Sequence, residues 1–319
     1  MKLGVLTVPL YSMSLEDTLS YLSGLGVQTV ELGAGGFPGN THLLPYLNGE
    51  KSVDDLKSLL AKYNMEISAI SVHGNAIHPN KEVADKFHGD FENAVLFAEK
   101  LGIDTVITFS GCPGGAPGDS TPNWVACPWP EDFLKILDYQ WNEVLIPYWK
   151  KTAAFARSHG VSKIAFEMHP GFCVYNPETL LKLRAAVGPE IGANFDPSHL
   201  IWQGIDPVAS IRMLGEAIFH FHAKDTRIDE YNRARIGVLD LKHYSDVANR
   251  AWVFRTIGYG TGEQSWKEII TALATIGYDG PVSIEHEDSM MSPKEGLEKA
   301  ISLLKNVLVY EKPGAMWWA

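Results

Sequence analysis

Four short apolar segments in the second half of the chain each end in a residue that can ligate a metal ion. These residues are Glu167, Asp196, His222 and Glu285, and stretches of helical periodicity separate the segments. If the segments are neighbouring parallel strands of a barrel, their carboxyl ends converge on one face. Three carboxylates meeting there would repel one another without a cation. Three oxygen donors with one nitrogen suit Mn²⁺, with Mg²⁺, Co²⁺ and Zn²⁺ as alternatives.

The histidine of this set could be His220 or His222, because residues two apart lie on the same face of a strand. His222 is nearer the carboxyl end and is therefore the predicted ligand. His220 is expected one layer deeper, as a hydrogen-bonded core histidine. Glu31 ends the second predicted strand and is interpreted as a rim residue or a partner of a ligand, rather than as a ligand.

The four segments belong to a longer alternation of strand-like and helix-like patterns. The alternation predicts eight strands and eight helices, and hence a (β/α)8 TIM barrel that forms one domain over residues 1–319. A doubly wound open sheet is the alternative, but it would not bring four separate strand ends to one point. The predicted strands are 3–8, 27–32, 67–72, 104–109, 163–167, 191–196, 217–222 and 282–285.

Two predicted connections are long, namely 110–130 after the fourth strand and 224–264 after the seventh. Both leave the face on which the strand ends converge. Long ordered loops in compact domains are usually functional, so we interpret both as lids over the site. The tail 313–319 is apolar and is expected to dock on this subunit or on a neighbour, which favours a homo-oligomer.

Composition narrows the possible partners. The net charge of −11 comes with no basic stripe, which argues against binding to nucleic acid. No run of 18 apolar residues is present, and the first residues resemble a strand rather than a signal peptide, so no membrane partner is expected. Three cysteines without paired spacing do not suggest a disulfide framework, and they favour a reducing, cytoplasmic location.

Four motifs resemble those of the xylose-isomerase-like sugar isomerase/epimerase superfamily of TIM barrels. They lie at 166–170, 195–199, 220–226 and 284–288, and the resemblance covers nearly the whole chain. It implies that one divalent metal is held by Glu167, Asp196, His222 and Glu285. It also places His199 beside the substrate, whereas a cap on the next helix is the structural alternative for this residue.

Other polar residues after the predicted strands are candidates for contact with a substrate. His169 is interpreted as a base or as a hydrogen-bonding partner of the substrate, with a purely structural role as the alternative. Lys224 follows the predicted metal histidine and could fix its ring or reach the substrate. Arg255 and His73 could bind substrate oxygens, and an exposed position without a role is the alternative for both.

Such a site predicts chemistry next to a carbonyl group. A cation that chelates a carbonyl and the adjacent hydroxyl acidifies the hydrogen between them and stabilises the enediolate. Glu167, Glu285 and His169 are the candidate proton carriers. Return of the proton to the other face epimerises, return to the neighbouring carbon isomerises, and loss of a β-substituent eliminates. The prediction is a metal-dependent sugar isomerase or epimerase that acts on a sugar or sugar derivative.

Two departures from the ketose 3-epimerases of the superfamily keep a second reaction open. Cys173 stands where those enzymes carry a second glutamate, and Arg227 only roughly matches their substrate arginine. The motifs and long lids are also similar to catalytic subunits of C-glycoside deglycosidases. That resemblance implies β-elimination on 3-oxo-glycosides, a lyase reaction, with a small β-rich second subunit as partner.

Two further classes are weaker. An endonuclease of the same fold would need more histidines for a zinc cluster and a basic groove. A catalytically inactive sugar-binding barrel would be expected to have lost metal ligands, and all four are present. A measurement of bound metal would separate this inactive class from the enzymes.

Overall fold

The computed structural model describes residues 1–37, 39, 42–311 and 314–318. Its strands are β1 (Lys2–Leu6), β2 (Thr29–Gly33), β3 (Glu66–Ser71), β4 (Thr105–Thr108), β5 (Lys163–Glu167), β6 (Ile191–Phe195), β7 (Ile218–Ala223), β8 (Asp225–Ile228), β9 (Trp252–Arg255) and β10 (Pro281–Ile284). Strands β1 to β7 and β10 are parallel and close into an eight-stranded barrel in which β10 lies between β7 and β1. The predicted (β/α)8 barrel is confirmed, and the open-sheet alternative is wrong.

Helices pack around the barrel and connect its strands. They are α1 (Leu15–Gly24), α2 (Leu44–Leu47), α3 (Val53–Lys62), α4 (Lys81–Leu101), α5 (Asp132–Asp138), α6 (Ile146–Ser158), α7 (Pro177–Val187), α8 (Pro197–Ile201), α9 (Pro207–Leu214), α10 (Glu230–Ile236), α11 (Glu263–Thr275) and α12 (Pro293–Val307). Short 3₁₀ helices cover Val8–Leu10 and Gly215–Ala217. The large apolar core joins strand and helix side chains, for example Val30 and Ile164 with Leu19 and Phe91.

Local sequence signals fix the helix ends. Ser14 Oγ accepts a hydrogen bond from Asp17 N at 3.1 Å and caps α1. Ser52 and Asp55 form a reciprocal capping box at the start of α3. Gly102 ends α4 with a φ of 75°, which a glycine adopts without strain. These residues fix where α1 and α3 begin and where α4 ends.

The helical region between segment 110–130 and β5 is divided into two helices. Helix α5 passes into a π-helical segment, Tyr139–Leu145, and α6 starts with Pro147 in its first turn. A proline has no backbone N–H to donate to the preceding turn, so the regular helical ladder is interrupted there.

Strand register aligns the residues at the carboxyl ends of β5, β6, β7 and β10. Glu167 lies opposite Asn194, and Asn194 lies opposite His220 across a register shift in β6. His222 lies opposite Ser283 on β10. The ends of the four strands therefore stand side by side, as the sequence pattern required.

The two long connections differ in structure. Segment 110–130 has no helix or strand, and Gln140 Nε2 fixes it by donating to the carbonyls of Pro113, Gly114 and Asn123. Segment 224–264 is more regular than the predicted loop, because β8 and β9 form an antiparallel hairpin that carries α10. We call residues 225–255 the hairpin insert.

The described part of the apolar tail, residues 314–318, is exposed and does not pack on its own subunit. Trp317 and Trp318 are 89% and 70% exposed, and Met316 is exposed as well, while Pro313 and Ala319 lie outside the described residues. Docking of the tail on a neighbouring subunit stays a prediction. Among the described residues, no helix is long and apolar enough to cross a membrane.

Candidate active site

The four predicted metal ligands meet at the carboxyl end of the barrel. Glu167 ends β5, Asp196 follows β6, His222 lies near the end of β7, and Glu285 follows β10. One potential ligand atom from each lies within 4.8 Å of all the others. We call these residues the quartet. Three of the four side chains are almost fully buried, and that of Glu285 is 12% exposed.

The quartet fits a divalent cation. Asp196 Oδ2 is buried and receives no hydrogen bond of acceptable geometry, although Lys224 Nζ and His199 Nε2 lie 2.9 and 3.2 Å away. A buried carboxylate oxygen without a proper donor is costly, and a cation would satisfy it. Three carboxylates and one imidazole form a donor set that suits Mn²⁺ and related divalent ions.

Glu31 orients the histidine of the quartet. Glu31 Oε2 lies 2.7 Å from His222 Nε2, so this ring nitrogen donates to the carboxylate and Nδ1 faces Glu167 and Glu285, at 3.3 and 3.1 Å. Burial opposes ionisation of Glu31, but the charge of His222 and the hydrogen bond from its ring outweigh it and lower the pKa of Glu31 to about 2. A carboxylate behind a metal-binding histidine fixes the ring and raises its basicity.

Glu31→Ala is expected to weaken binding of Mn²⁺ by about 10- to 100-fold, because the ring of His222 loses the acceptor that orients it. Calorimetric titration of the metal-free protein measures this change. Glu31→Gln keeps an acceptor oxygen and should lose less affinity. Unchanged affinity in the alanine variant, with an intact far-UV spectrum, would show that Glu31 does not act through His222.

His220 lies below the quartet, fully buried. Its Nδ1 donates to Asn194 Oδ1 at 2.8 Å, and its Nε2 lies 3.2 Å from Ser68 Oγ. Burial lowers the pKa of His220 to about 4, so the ring is neutral at neutral pH. Glu31, His220 and His222 also have potential ligand atoms within 4.8 Å of one another. Both nitrogens of His220 already have partners, which is the arrangement of a core histidine.

Glu167 is surrounded by hydrogen-bonding groups. His199 Nε2 lies 3.0 Å from its Oε1, while His73 Nε2 and Asn194 Nδ2 lie 3.1 and 3.3 Å from its Oε2. Burial opposes ionisation, but bonds from His199, His222 and His73 hold the pKa of Glu167 well below its usual range. The structure thus brings the predicted substrate residues His73 and His199 next to the quartet.

Lys224 supplies positive charge among the carboxylates. Its buried ammonium lies 2.9 Å from Asp196, 2.7 Å from Glu285 and 3.0 Å from Glu287. The same nitrogen stands 4.8 Å from the centre of the Phe254 ring. Burial favours the neutral amine, but the acidic neighbours hold the pKa of Lys224 well above its usual range. Lys224 therefore forms ion pairs with two predicted metal ligands, Asp196 and Glu285, rather than fixing the imidazole of His222.

A cavity of about 180 Å³ opens onto this cluster. Its volume is below the 300–1,000 Å³ typical of drug-sized ligands, so it suits a small polar molecule. The wall contains predicted site residues together with a glycine-rich loop and two phenylalanines. The polar lining residues are Ser71, His73, Glu167, His169, His199, Lys224, Glu285 and Glu287.

His169 presents a neutral ring to the cavity. Its Nδ1 lies 2.6 Å from the carbonyl oxygen of Pro170, which can only accept, so Nδ1 carries the proton. Burial, together with the positive charges of His199 and Lys224, lowers the pKa of His169 to about 3. At neutral pH, Nε2 therefore keeps a lone pair that can accept a hydrogen bond or a proton.

Arg255 lies apart from these residues. Its Nε donates to both carboxylate oxygens of Asp288, at 3.2 and 3.0 Å, and Arg255 is not among the lining residues of the 180 Å³ cavity. Asp288 also accepts from the backbone N–H of Thr256. The ion pair joins the end of β9 to the loop after β10.

The sequence analysis did not identify one wall of the cavity, the glycine-rich loop after β2. Gly33, Gly35, Phe37 and Gly39 line the cavity from this side, and Phe109 lines it from the end of β4. The cluster of glycines directly after a strand end was the available signal, because such loops allow the backbone to approach a ligand closely.

Gly36 is required for the shape of this loop. Its φ is 69°, and a Cβ there would lie 1.8 Å from the carbonyl oxygen of His73. That same oxygen accepts a hydrogen bond from Phe37 N at 2.6 Å. A glycine thus lets the loop pass close to the backbone of His73, which follows β3.

The family follows from a comparison of the whole chain. Residues 19–307 match the family model described as xylose isomerase-like TIM barrel. This chain belongs to the xylose isomerase-like TIM barrel family. The assignment agrees with the resemblance inferred from the motifs, and it makes an enzyme the expected class of protein.

Relatives that align with most of the chain include YfiH and an inosose dehydratase. YfiH of Bacillus subtilis strain 168 is 41% identical over 313 residues, which cover 97% of this chain and 99% of YfiH. An inosose dehydratase of Mesomycoplasma hyopneumoniae strain 7448 is 26% identical over 267 residues, which cover 82% of this chain and 83% of the dehydratase.

Solved structures that share the fold include an epimerase-like protein and a zinc-binding protein. A D-tagatose 3-epimerase-like protein is 22% identical with a TM-score of 0.64, and the match covers 96% of this chain and 98% of that one. The IolI protein with a bound zinc atom is 20% identical with a TM-score of 0.65, and the match covers 96% of each chain.

Proposed function

We propose that this protein is a divalent-metal-dependent enzyme that removes the proton next to the carbonyl of a small sugar or sugar derivative, as an isomerase or epimerase. The observation that carries the proposal is the convergence of the quartet, with ligand atoms within 4.8 Å, beneath a cavity of about 180 Å³. Buried carboxylates at a strand-end face of a barrel are a functional arrangement rather than a stabilising one.

When bound, a divalent cation polarises the carbonyl oxygen and makes the neighbouring C–H more acidic. Mn²⁺ is the first candidate for a site with three carboxylates and one imidazole, and the zinc in IolI supports Zn²⁺ as an alternative. The ligands of this chain would be Glu167, Asp196, His222 and Glu285.

Glu285 is the best placed acceptor for the substrate proton. Its side-chain hydrogen bonds and ion pairs among the described residues all go to Oε2, from Lys224 at 2.7 Å and His222 at 3.1 Å. The second oxygen, Oε1, is then left for the cavity, which Glu285 lines. Glu167 is a weaker base, because both of its oxygens already accept hydrogen bonds.

His169 and Glu287 complete the lining opposite the glycine-rich loop. The free Nε2 of His169 can accept a hydrogen bond from a substrate hydroxyl. Glu287 is half exposed and bonded to Lys224, so it can hold another hydroxyl. Epimerisation needs a base on one face of the reacting carbon and a proton donor on the other, and Glu285 is the candidate base.

Elimination of a β-substituent is the second candidate. It is favoured by the inosose dehydratase, which aligns over 82% of this chain, and by the thiol of Cys173 at the position where 3-epimerases carry a glutamate. A 3-oxo-glycoside lyase would use the same first step. The two candidates differ in whether the carbon next to the carbonyl regains a hydrogen or the substrate loses a substituent.

In D₂O, the Mn²⁺-loaded protein is expected to exchange the hydrogen next to the carbonyl of its substrate for deuterium. Free ketoses and 3-oxo-glycosides are incubated separately, and NMR follows both the deuterium content and the products. Glu285→Gln should slow exchange by about 100-fold or more, because it removes the proton acceptor. Products that retain the sugar skeleton indicate epimerisation or isomerisation, and a released substituent indicates elimination.

The control for this experiment is Glu66→Gln, an exposed glutamate at the opposite end of the barrel that pairs with Lys2. It should leave the exchange rate unchanged. Turnover of a substrate without any carbonyl, with no deuterium uptake, would refute carbonyl chemistry and leave only the fold and the cluster of ligand-type residues.

A further inference from the structure

A second cavity of about 490 Å³ adjoins the first. The two share His169 and Glu287 as lining residues, so they meet at these side chains. Unlike the first cavity, the second has a volume within the range typical of drug-sized ligands. The metal quartet lies on the side of the smaller cavity, and none of its four members lines the larger one.

The hairpin insert builds one wall of this second cavity. Tyr244, Val253 and Phe254 come from the insert, while Met291 and Pro293 face them from the segment after β10. The rings of Tyr244 and Phe254 are stacked, with centroids 5.8 Å apart and an interplanar angle of 20°. This wall is apolar and aromatic, which suits a flat ring rather than a string of hydroxyl groups.

The aromatic wall is continuous with the site. Phe254 stands 4.8 Å from Lys224 Nζ and 5.3 Å from the centre of the His199 ring, in an edge-on arrangement. Asp288, an acidic residue of the second cavity, is already bonded to Arg255 and to backbone N–H groups. It is therefore not available as a strong polar partner for a ligand.

We propose that the second cavity is a subsite for a ring-shaped substituent, so that the substrate is a carbonyl-bearing sugar joined to an aryl or similar apolar ring. The proposal rests on the proposed function in one respect, namely that the sugar occupies the smaller cavity. A substituent that projects from the sugar between the side chains of His169 and Glu287 enters the larger cavity directly. The subsite sets substrate choice and takes no part in proton transfer.

The test compares methyl and phenyl 3-oxo-β-D-glucopyranoside, which carry the same sugar and differ only in the substituent. Both are mixed with the Mn²⁺-loaded full chain, and quenching of tryptophan fluorescence in the first milliseconds gives Kd before turnover. The phenyl compound is expected to bind about ten-fold more tightly than the methyl compound, a gain of the size that one aromatic stacking contact provides.

Variants locate the gain in the second cavity. Val253→Trp fills the space and should make the two compounds bind equally, and Tyr244→Ala, at a half-exposed position that tolerates truncation, should reduce the difference at least three-fold. Tyr231→Ala is the matched control, because Tyr231 lies on the same insert but is 72% exposed and outside the cavity. It should retain the ten-fold difference.

Equal binding of the two compounds by the unmodified protein would overturn the subsite, as would a phenyl preference that survives Val253→Trp. If neither compound binds but a free ketose still exchanges deuterium in the presence of metal, the subsite is wrong and the proposed function stands. If deuterium exchange also fails for every ketone, both proposals are wrong.

Discussion

Glu167→Gln is expected to weaken binding of Mn²⁺ by about 100-fold and to abolish turnover, while the barrel stays folded. The substitution keeps the size of the side chain but removes one of the three negative charges of the quartet. Loss of a residue that only hydrogen-bonds to a metal ligand already costs about 10- to 100-fold in metal affinity. Loss of a ligand itself should therefore reach the upper end of that range. Glu285→Gln should give the same result, since it removes a charge from the opposite side.

Glu287→Gln is the matched control for metal binding. Glu287 lies beside the quartet and contacts Lys224 at 3.0 Å, but its side chain is 50% exposed and it is not part of the set of four. Its affinity for Mn²⁺ should stay within about three-fold of the unmodified protein, since exposed charges interact weakly. Calorimetric titration and far-UV circular dichroism on all three variants separate ligand loss from unfolding. Tight binding by Glu167→Gln would remove Glu167 from the ligand set.

The barrel could be predicted because its two periodicities are strong in the sequence. Apolar runs such as 163–167 and 191–195 are bounded by glycines or polar turns, and the intervening helices carry caps such as Ser52 and Asn176. The predicted ligands followed from the same pattern, because the last residue of each parallel strand must face the same end of the barrel. Most of this part of the fold could therefore be predicted from local sequence patterns.

Features that depend on contacts between residues far apart in the sequence could not be predicted from local patterns. The hairpin insert was predicted as part of the long loop 224–264, since the pairing of Asp225 with Arg255 joins residues 30 apart and β8 is too short to show a pattern. The bond of Glu31 to His222 spans 191 residues. The sequence predicted Glu31 as a rim residue or a partner of a ligand, but only the closed barrel brings β2 across from β7.

Arg255 illustrates the same difficulty for substrate residues. An arginine in a loop near glycines was a reasonable candidate for a substrate oxygen, and its type alone could not indicate a partner 33 positions away. In the structure it is 7% exposed and ion-paired with Asp288, which is itself buried. The side chain therefore holds the hairpin insert against the loop after β10, next to the second cavity.

Asp225→Ala is expected to lower the free energy of unfolding by about 3–5 kcal/mol, because it removes a fully buried carboxylate that gathers several donors. Asp225 Oδ2 accepts from the N–H groups of Gly258 and Gly260 at 2.9 and 3.1 Å and from Trp266 Nε1 at 3.1 Å. These bonds tie the chain after β9 to the residue directly following Lys224. Without them the buried donors lose their acceptor, and Lys224 loses the anchor that holds it among the carboxylates.

Urea denaturation of the metal-free protein measures this loss without a contribution from bound cation. Asp229→Ala is the matched control in the same insert: Asp229 only caps α10, through Asn232 N at 2.8 Å, and its loss should cost about 0.5–2 kcal/mol. A change below about 1 kcal/mol for Asp225→Ala would contradict the anchoring role. The expected result for Asp225→Ala is a large loss of unfolding free energy together with weaker binding of Mn²⁺. Asp229→Ala should lose little unfolding free energy and bind Mn²⁺ as before. This combination would connect the turn at 258–261 to the quartet through Lys224.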